Sequence, residues 1–194
     1  AYYQCIRYIF LNKNANTENI LNMRNELYNK LFHEFLPQNH NYERIVKEYR
    51  DNDLVFVFSG QILGINHAPT KVALDICCNL IKKLNKKVVL INTEEVLTLK
   101  GILPMQNICA GNVINEYSNI NTIKYKNVNI PFYHPNVLMP NDREIINILN
   151  MVKKYKPSFI INIGTVLVGD LCGEIVPTVT IPQGNDGYSK SLFY

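Results

Sequence analysis

Residues 54–91 begin with the apolar run Leu54-Val-Phe-Val-Phe58, continue through Ser59-Gly-Gln-Ile-Leu-Gly-Ile-Asn-His-Ala-Pro-Thr70, and end with Val88-Val-Leu-Ile91. The two short apolar runs are typical of strands that are buried on both faces. Between them, apolar residues recur at the spacing of one helical face, and Pro69 suits the first turn of that helix because its missing N–H costs nothing there. A strand, a helix and a second strand within about 40 residues predict a parallel crossover unit.

The same alternation continues towards the C-terminus. Asn141 or Asp142 is predicted to cap a helix that ends before Pro157. Further strands are predicted at Asn129–Tyr133, Ser158–Ile163 and Thr178–Ile181, the first of them near a sheet edge because Pro131 cannot donate to a ladder. This order predicts an α/β fold with a mostly parallel sheet and helices on both faces.

The region before the first strand has a helical pattern. We expect residues 1–52 to form a helical appendage and residues 53–194 to form the α/β domain. Both ends of the chain are typical of the boundaries of a fragment: it opens on Ala1 and stops at Tyr194 with no polar tail.

The composition excludes several classes of protein. The formal charge is +4, and the lysines gather near the ends of predicted helices, where solvation explains them better than nucleic-acid binding does. A weak contact of these lysines with an anionic membrane face stays open. Five cysteines without a CxxC spacing favour neither disulfides nor zinc, so we expect a reducing cytoplasm. No apolar run is long enough to span a membrane.

The candidate site follows from the predicted sheet. Ligands bind outside the carboxyl ends of the strands in an open α/β sheet. The loop after the first strand is long and contains two glycines, and the free N–H groups at the start of its helix favour an anion such as phosphate. The residues that we expect to contact a substrate are Gly60, Gly64, Asn66, Thr70, Glu94, Gly164, Gln183 and Asp186.

His67 is the candidate catalytic residue, because it stands immediately before the predicted helix, where an imidazole can meet a sugar hydroxyl or a phosphate. The alternative is a loop histidine that hydrogen-bonds its own backbone. His134 is interpreted as structural, and Asp170 and Glu174 as solvated. Glu94 and Glu95 follow the predicted strand Val88–Ile91, where a carboxylate could meet a sugar hydroxyl. The alternative is that Thr93 caps a helix that begins at these residues.

Two common chemistries do not fit the first loop. Its glycine spacing is neither a GxGxxG fingerprint nor a phosphate P-loop, so we expect neither a nicotinamide dehydrogenase nor an ATPase. No His, Asp and Glu cluster has the spacing of a metal site, and no metal is expected.

Two segments resemble a known family. Phe58-Ser-Gly-Gln-Ile-Leu-Gly-Ile-Asn-His-Ala-Pro-Thr-Lys-Val-Ala-Leu-Asp75 is similar to the first strand, loop and helix of bacterial GT-B glycosyltransferases. Lys156–Gly164 and Ile175–Gly184 resemble the end of the amino-terminal domain in that family, and the likeness covers about residues 53–187. The resemblance implies a Rossmann-like three-layer sandwich that shapes the acceptor site of an enzyme of polysaccharide biosynthesis.

The resemblance also implies partners that are absent from this chain. A second domain would bind a nucleotide-sugar as co-substrate, with no tightly bound cofactor and no catalytic metal. The first loop, at Gly60, Gly64 and His67, would approach the donor diphosphate, and the acceptor would be a glycan, a lipid-linked molecule or a protein. The chain lacks the Glu-containing signature of the donor domain, so the stereochemistry stays open. We expect the fragment alone to be inactive and the enzyme to be cytoplasmic, with the inner membrane face as an alternative location.

Two other functions are compatible with the sequence. One is a stand-alone flavodoxin-like module that binds a nucleotide or a flavin. The other is an interaction module that docks through the apolar face from Ile20 to Phe35. Fold alone does not separate these functions from the glycosyltransferase half.

Overall fold

The computed structural model describes residues 18–36, 43–95, 116–183 and 188–190, together with Cys5, Asn12 and the backbone of residues 192–193. The helices in this part of the chain are α1 (Glu18–Phe35), α2 (Ala68–Leu84), α3 (Asp142–Tyr155) and α4 (Leu167–Cys172), with a 3-10 turn at Lys47–Tyr49. The strands are β1 (Asp51–Ser59), β2 (Lys87–Asn92), β3 (Thr122–Tyr125), β4 (Val128–Tyr133), β5 (Pro157–Ile163), β6 (Thr178–Ile181) and β7 (Leu192–Phe193).

The strands form one sheet in the order β3-β4-β2-β1-β5-β6-β7. Only β3 is antiparallel to its neighbour among these strands. Counted along the chain among themselves, the six parallel strands have the order 3-2-1-4-5-6, which is the Rossmann order and differs from the 2-1-3-4-5 order of flavodoxin. The predicted Rossmann-like α/β fold is therefore confirmed.

Helices cover both faces of the sheet, because successive side chains of a strand point to opposite faces. On β1, the side chains of Leu54, Phe56 and Phe58 belong to a core shared with α1, α3 and α4. Val55 and Val57 belong to a second core, shared with α2. These two cores make the three layers of the sandwich.

Local signals set the limits of α3 as the sequence predicts. The Asn141 side chain accepts a hydrogen bond from the Glu144 N–H at 3.2 Å, which satisfies one of the free donors of the first turn. At the other end, Lys156 adopts a left-handed conformation with φ of 48°, and Pro157 begins β5. The cap and the proline together explain why this helix was predictable.

The β3–β4 hairpin is not predicted by the sequence pattern. Its turn residues, Lys126 and Asn127, both have positive φ angles (46° and 60°), as a two-residue hairpin turn requires. Lys-Asn is a weaker signal for this turn than Asn-Gly, and β3 has only four residues. Strand β4 is consequently second from the edge, and Pro131 stands opposite Thr122 of the edge strand β3.

Helix α1 packs on the α/β core. Tyr28 is fully buried and Phe32 is 3% exposed, and both belong to the core that contains α3 and α4. Strand β1 begins at Asp51, so the expected boundary at residue 53 falls inside this strand. The division into an appendage and a domain stays a prediction.

No helix in the described ranges combines the length and the hydropathy needed to cross a membrane.

Candidate functional site

The predicted site residues follow the carboxyl ends of strands that are neighbours in the sheet. The first loop follows β1, Glu94 follows β2, Gly164 follows β5, and Gln183 follows β6. The order of the parallel strands reverses between β1 and β5, which is where a crevice for ligands opens in such sheets. The topology therefore brings these residues to one edge, while Asp186 lies outside the described residues.

Hydrogen bonds hold the first loop in one conformation. Gly64 has a φ of 89°, a conformation that residues with a side chain rarely adopt, and its carbonyl accepts from the His67 N–H at 3.1 Å. The Thr70 Oγ1 accepts from the Leu63 N–H at 2.9 Å. Gly60 is buried, whereas Asn66 is exposed.

His67 is the N-cap residue of α2, but its side chain makes no capping hydrogen bond. Its Nδ1 lies 2.9 Å from Thr70 Oγ1, so the imidazole bonds a neighbouring side chain and not its own backbone. The ring is half-buried, and burial lowers the pKa of His67 below its ordinary value of 6.5. We therefore expect a neutral imidazole at pH 7.

The first turn of α2 begins at an exposed residue, Ala68. The Lys71 N–H is bonded to the His67 carbonyl at 3.0 Å, and Pro69 has no N–H. The N–H group of Ala68, which is exposed, has no acceptor among the described residues, whereas Thr70 is fully buried. A free donor at a helix N-terminus favours an anion.

The N-terminus of α4, at the end of β5, is closed by a carboxylate of the chain itself. Glu95 is 2% exposed, and its two oxygens accept from the backbone N–H groups of Leu167 (2.5 Å) and Val168 (3.1 Å). Burial raises the pKa of Glu95 to about 7, and the two backbone hydrogen bonds oppose this rise. Glu95 thus occupies the position where an external anion would otherwise bind.

Glu94 and His134 meet between the ends of β2 and β4. His134 Nδ1 lies 3.1 Å from Glu94 Oε1, and their side chains are 11% and 16% exposed, respectively. Glu94 has a φ of 52°, an uncommon conformation for a residue with a side chain. Burial raises the pKa of Glu94, and the contact with His134 opposes this rise. The His134 ring stacks on Phe132 with centroids 5.5 Å apart.

This pair was not predictable as a pair. Glu94 is among the expected site residues, but the sequence interpretation of His134 is structural. The sequence feature that could have predicted the pair is that both residues closely follow strands. Residues at the carboxyl ends of parallel strands lie on the same edge of the sheet. The expected helix cap at Thr93 is wrong, because Glu94, which would be the first helical residue, has a φ of 52° and the Thr93 Oγ1 donates to the Ser59 carbonyl at 3.4 Å.

The expectation that Asp170 is solvated is wrong. Asp170 is 3% exposed, and its carboxylate accepts hydrogen bonds from Tyr28 Oη (2.5 Å), Asn162 Nδ2 (2.9 Å), Ser189 Oγ (2.7 Å) and the Lys190 N–H (2.7 Å). Helix α1 and residues 188–190, distant in sequence, cover α4 at this point, and local pattern cannot reveal that. Glu174, by contrast, is exposed as expected.

Within the described ranges, no group of three His, Cys, Asp or Glu side chains is placed to hold a metal ion. Comparison of the chain with protein-family models, curated proteins and solved structures gave no match.

Proposed function

We propose that this chain is the acceptor-side domain of a glycosyltransferase of the GT-B type, which moves a sugar from a nucleotide-sugar to a glycan, lipid-linked or protein acceptor. The resemblance in residues 58–75 supports this proposal, and the Rossmann order of the sheet agrees with it. In this proposal the nucleotide-sugar binds mainly to a second domain. The first loop approaches its diphosphate across the cleft.

The observation that carries the proposal is the contrast between two helix N-termini at the carboxyl edge. The N-terminus of α4 is closed by Glu95, whereas α2 begins at the exposed residue Ala68 beside His67. A diphosphate is the kind of anion that a helix N-terminus favours. The neutral His67 adds a hydrogen-bonding group without adding a charge.

A stand-alone nucleotide or flavin module is the second candidate, because the open N-terminus of α2 suits any phosphate. This candidate predicts that the chain alone binds the ligand with micromolar affinity. A bound flavin would be visible in the absorbance spectrum of the purified protein. The glycosyltransferase proposal predicts neither result.

The experiment compares this chain with the protein that is translated from the full reading frame containing it. Both proteins are incubated with UDP-glucose, UDP-N-acetylglucosamine or GDP-mannose and a set of glycoside acceptors, and sugar transfer is measured by mass spectrometry. We expect transfer by the full protein and none by the chain alone. Transfer by the isolated chain, or a reading frame that stops directly after Tyr194, would contradict the proposal.

A further inference from the structure

The edge of the sheet where the parallel strands begin lies opposite to the candidate site. Strands β2, β1 and β5 are neighbours at this edge. Helices α2 and α3 end beside them, one on each face of the sheet. The β3–β4 turn joins them through Lys82 Nζ, which donates to the Lys126 carbonyl at 2.6 Å. We call this surface the amino edge, and it consists of residues 46–53, 82–87, 126–127 and 153–158.

The amino edge is strongly basic. It contains ten of the 20 lysines and arginines of the chain but only three of its 16 aspartates and glutamates, so the rest of the chain has an excess of carboxylates. Two of the three carboxylates are already paired, Asp53 with Lys86 at 3.3 Å and Asp51 with Lys87 at 3.5 Å. The ends of α2 and α3 contribute about half a negative charge each, which offsets little of the formal excess of cations.

Several of these cations have no partner of opposite charge. Within the described ranges, the exposed lysines of the amino edge that form no ion pair are Lys47, Lys82, Lys83, Lys154 and Lys156. They come from three separate segments that folding brings to one edge, and like charges brought together repel one another. A negatively charged partner removes this repulsion, so the amino edge is electrostatically suited to an anionic surface.

Exposed apolar side chains lie among these lysines. Tyr49 is 71% exposed and Leu84 is 62% exposed, and Val46 and Tyr155 are also exposed. These are four of the eight large apolar side chains that are exposed in the part of the chain that the structure describes. Tyrosine rings and aliphatic side chains enter the boundary between lipid headgroups and acyl chains, while the long stem of lysine lets its ammonium group stay at the headgroups.

A membrane suits this surface better than a nucleic acid does. Single-stranded nucleic acid binds by stacking its bases on aromatic rings, and Val46 and Leu84 have no ring to offer. A bilayer supplies both anionic headgroups for the lysines and an apolar layer for these two side chains.

From this arrangement we propose that the amino edge docks on the surface of a membrane that contains anionic lipids. The candidate site lies at the other end of the strands. With a rise of about 3.3 Å per residue, the six residues of β2 separate the two edges by about 20 Å. The crevice therefore opens away from the lipid and towards the aqueous phase. This inference depends on the charges and apolar side chains of the amino edge and is independent of the glycosyltransferase proposal.

The first test is co-sedimentation of this chain with lipid vesicles at low salt. Vesicles of phosphatidylcholine alone are compared with vesicles that contain about 30% phosphatidylglycerol, and we expect binding to the anionic vesicles only. Each lysine near an anionic surface changes the affinity about fivefold, so Lys83→Glu combined with Lys154→Glu should weaken binding about 30-fold or more. Lys30→Glu combined with Arg143→Glu, at exposed positions outside the amino edge, changes the net charge equally and should bind within about threefold of the wild type.

The second test is tryptophan fluorescence, because the chain has no tryptophan of its own. Tyr49→Trp introduces one at the amino edge. Leu138→Trp introduces one at the carboxyl edge, in the exposed segment after β4. We expect anionic vesicles to shift the emission of Tyr49→Trp to shorter wavelength and to leave that of Leu138→Trp unchanged.

The third test removes an apolar side chain without changing the charge. Leu84→Ser should weaken binding to anionic vesicles about fivefold or more, because a leucine that leaves water on docking is lost. Met23→Ser, at an exposed apolar residue of α1, is the matched control and should bind as the wild type does. A wild-type melting temperature in each variant, measured by circular dichroism, excludes unfolding as the cause of a loss.

Four results would overturn the proposal. They are equal affinity for the two kinds of vesicle, equal binding by the Lys83 and Lys154 double variant and its control, wild-type binding by Leu84→Ser, and an emission shift in Leu138→Trp without one in Tyr49→Trp. Binding of polyuridylate without binding of anionic vesicles would identify nucleic acid as the partner instead. Sugar transfer by the full-length protein is measured separately, so the two proposals can fail independently.

Discussion

At the scale of single residues, Glu95 is a buried carboxyl group that stabilises the edge of the sheet. Its oxygens bind two backbone N–H groups at the start of α4, and its pKa is about 7 because it is buried. In the unfolded chain the same carboxyl group has its ordinary pKa of 4.5, so it loses its proton above about pH 4.5. The folded protein therefore binds more protons than the unfolded one between these two values.

This difference predicts a pH dependence of stability. The contribution of Glu95 is complete below pH 4.5 and is lost as the pH rises through about 7. At 1.36 kcal/mol per pKa unit, the loss is on the order of 3 kcal/mol. We expect the free energy of unfolding, measured with urea, to fall from about pH 5 to about pH 8 in the wild type and to fall less in Glu95→Gln.

The comparison with the variant removes the contribution of His67, whose lowered pKa has the opposite effect below pH 6.5 and is common to both proteins. Glu174→Gln, at an exposed carboxylate close to α4, is the control and should keep the wild-type profile. Parallel profiles for the wild type and Glu95→Gln would show that Glu95 is ionised in the folded state.

Tyr28 provides a second prediction for a single side chain. Its hydroxyl donates to the buried Asp170 carboxylate at 2.5 Å. Tyr28→Phe removes this donor while keeping the ring, and a hydrogen bond to a charged group contributes about 1.5–3 kcal/mol. We expect a loss of that size in urea unfolding and no loss for Tyr49→Phe, because Tyr49 is 71% exposed. Equal stability of the two variants would mean that the Tyr28 hydroxyl is dispensable.

At the scale of elements, α4 approaches β5 closely because residue 169 has no side chain. A Cβ at Gly169 would lie 2.0 Å from Asn162 Oδ1, and the Asn162 side chain is fixed by its bond to Asp170. Gly169→Ala should therefore move the helix or break that bond, at a cost of about 1–3 kcal/mol or more.

A double-mutant cycle with Asn162→Ala tests the cause, because this second change removes the atoms that the new Cβ would meet. The two losses in the free energy of unfolding should be less than additive. Additive losses would show that the cost of Gly169→Ala has another origin, such as the backbone of α4.

The elements differ in how far the sequence predicts them. Strands β1, β2 and β5 and helices α2 and α3 follow from continuous apolar runs, helical spacing and the signals at Pro69 and Asn141. Strand β3 does not, because its pairing with β4 depends on a Lys-Asn turn that local preference does not favour. Strand β7, of two residues, is too short to leave a pattern.

At the scale of the whole molecule, the edge that carries the candidate site is predictable, but the pairs of residues within it are not. Parallel strands must place the first loop, Glu94 and Gly164 on the same edge whatever their order. Three contacts join segments that are at least 40 residues apart in the sequence: His134 with Glu94, Glu95 with α4, and Asp170 with Tyr28. Only the packing of the complete sheet and its helices determines them.

The central proposal is that this edge faces a nucleotide-sugar. Its most direct test is to measure the release of nucleoside diphosphate by the protein translated from the full reading frame. We predict turnover of at least one donor by the wild type, a loss of about tenfold or more in His67→Ala, which removes a group at the open N-terminus of α2, and wild-type turnover in His33→Ala. An absence of turnover with every donor, or the same turnover in His67→Ala as in the wild type, would contradict the account.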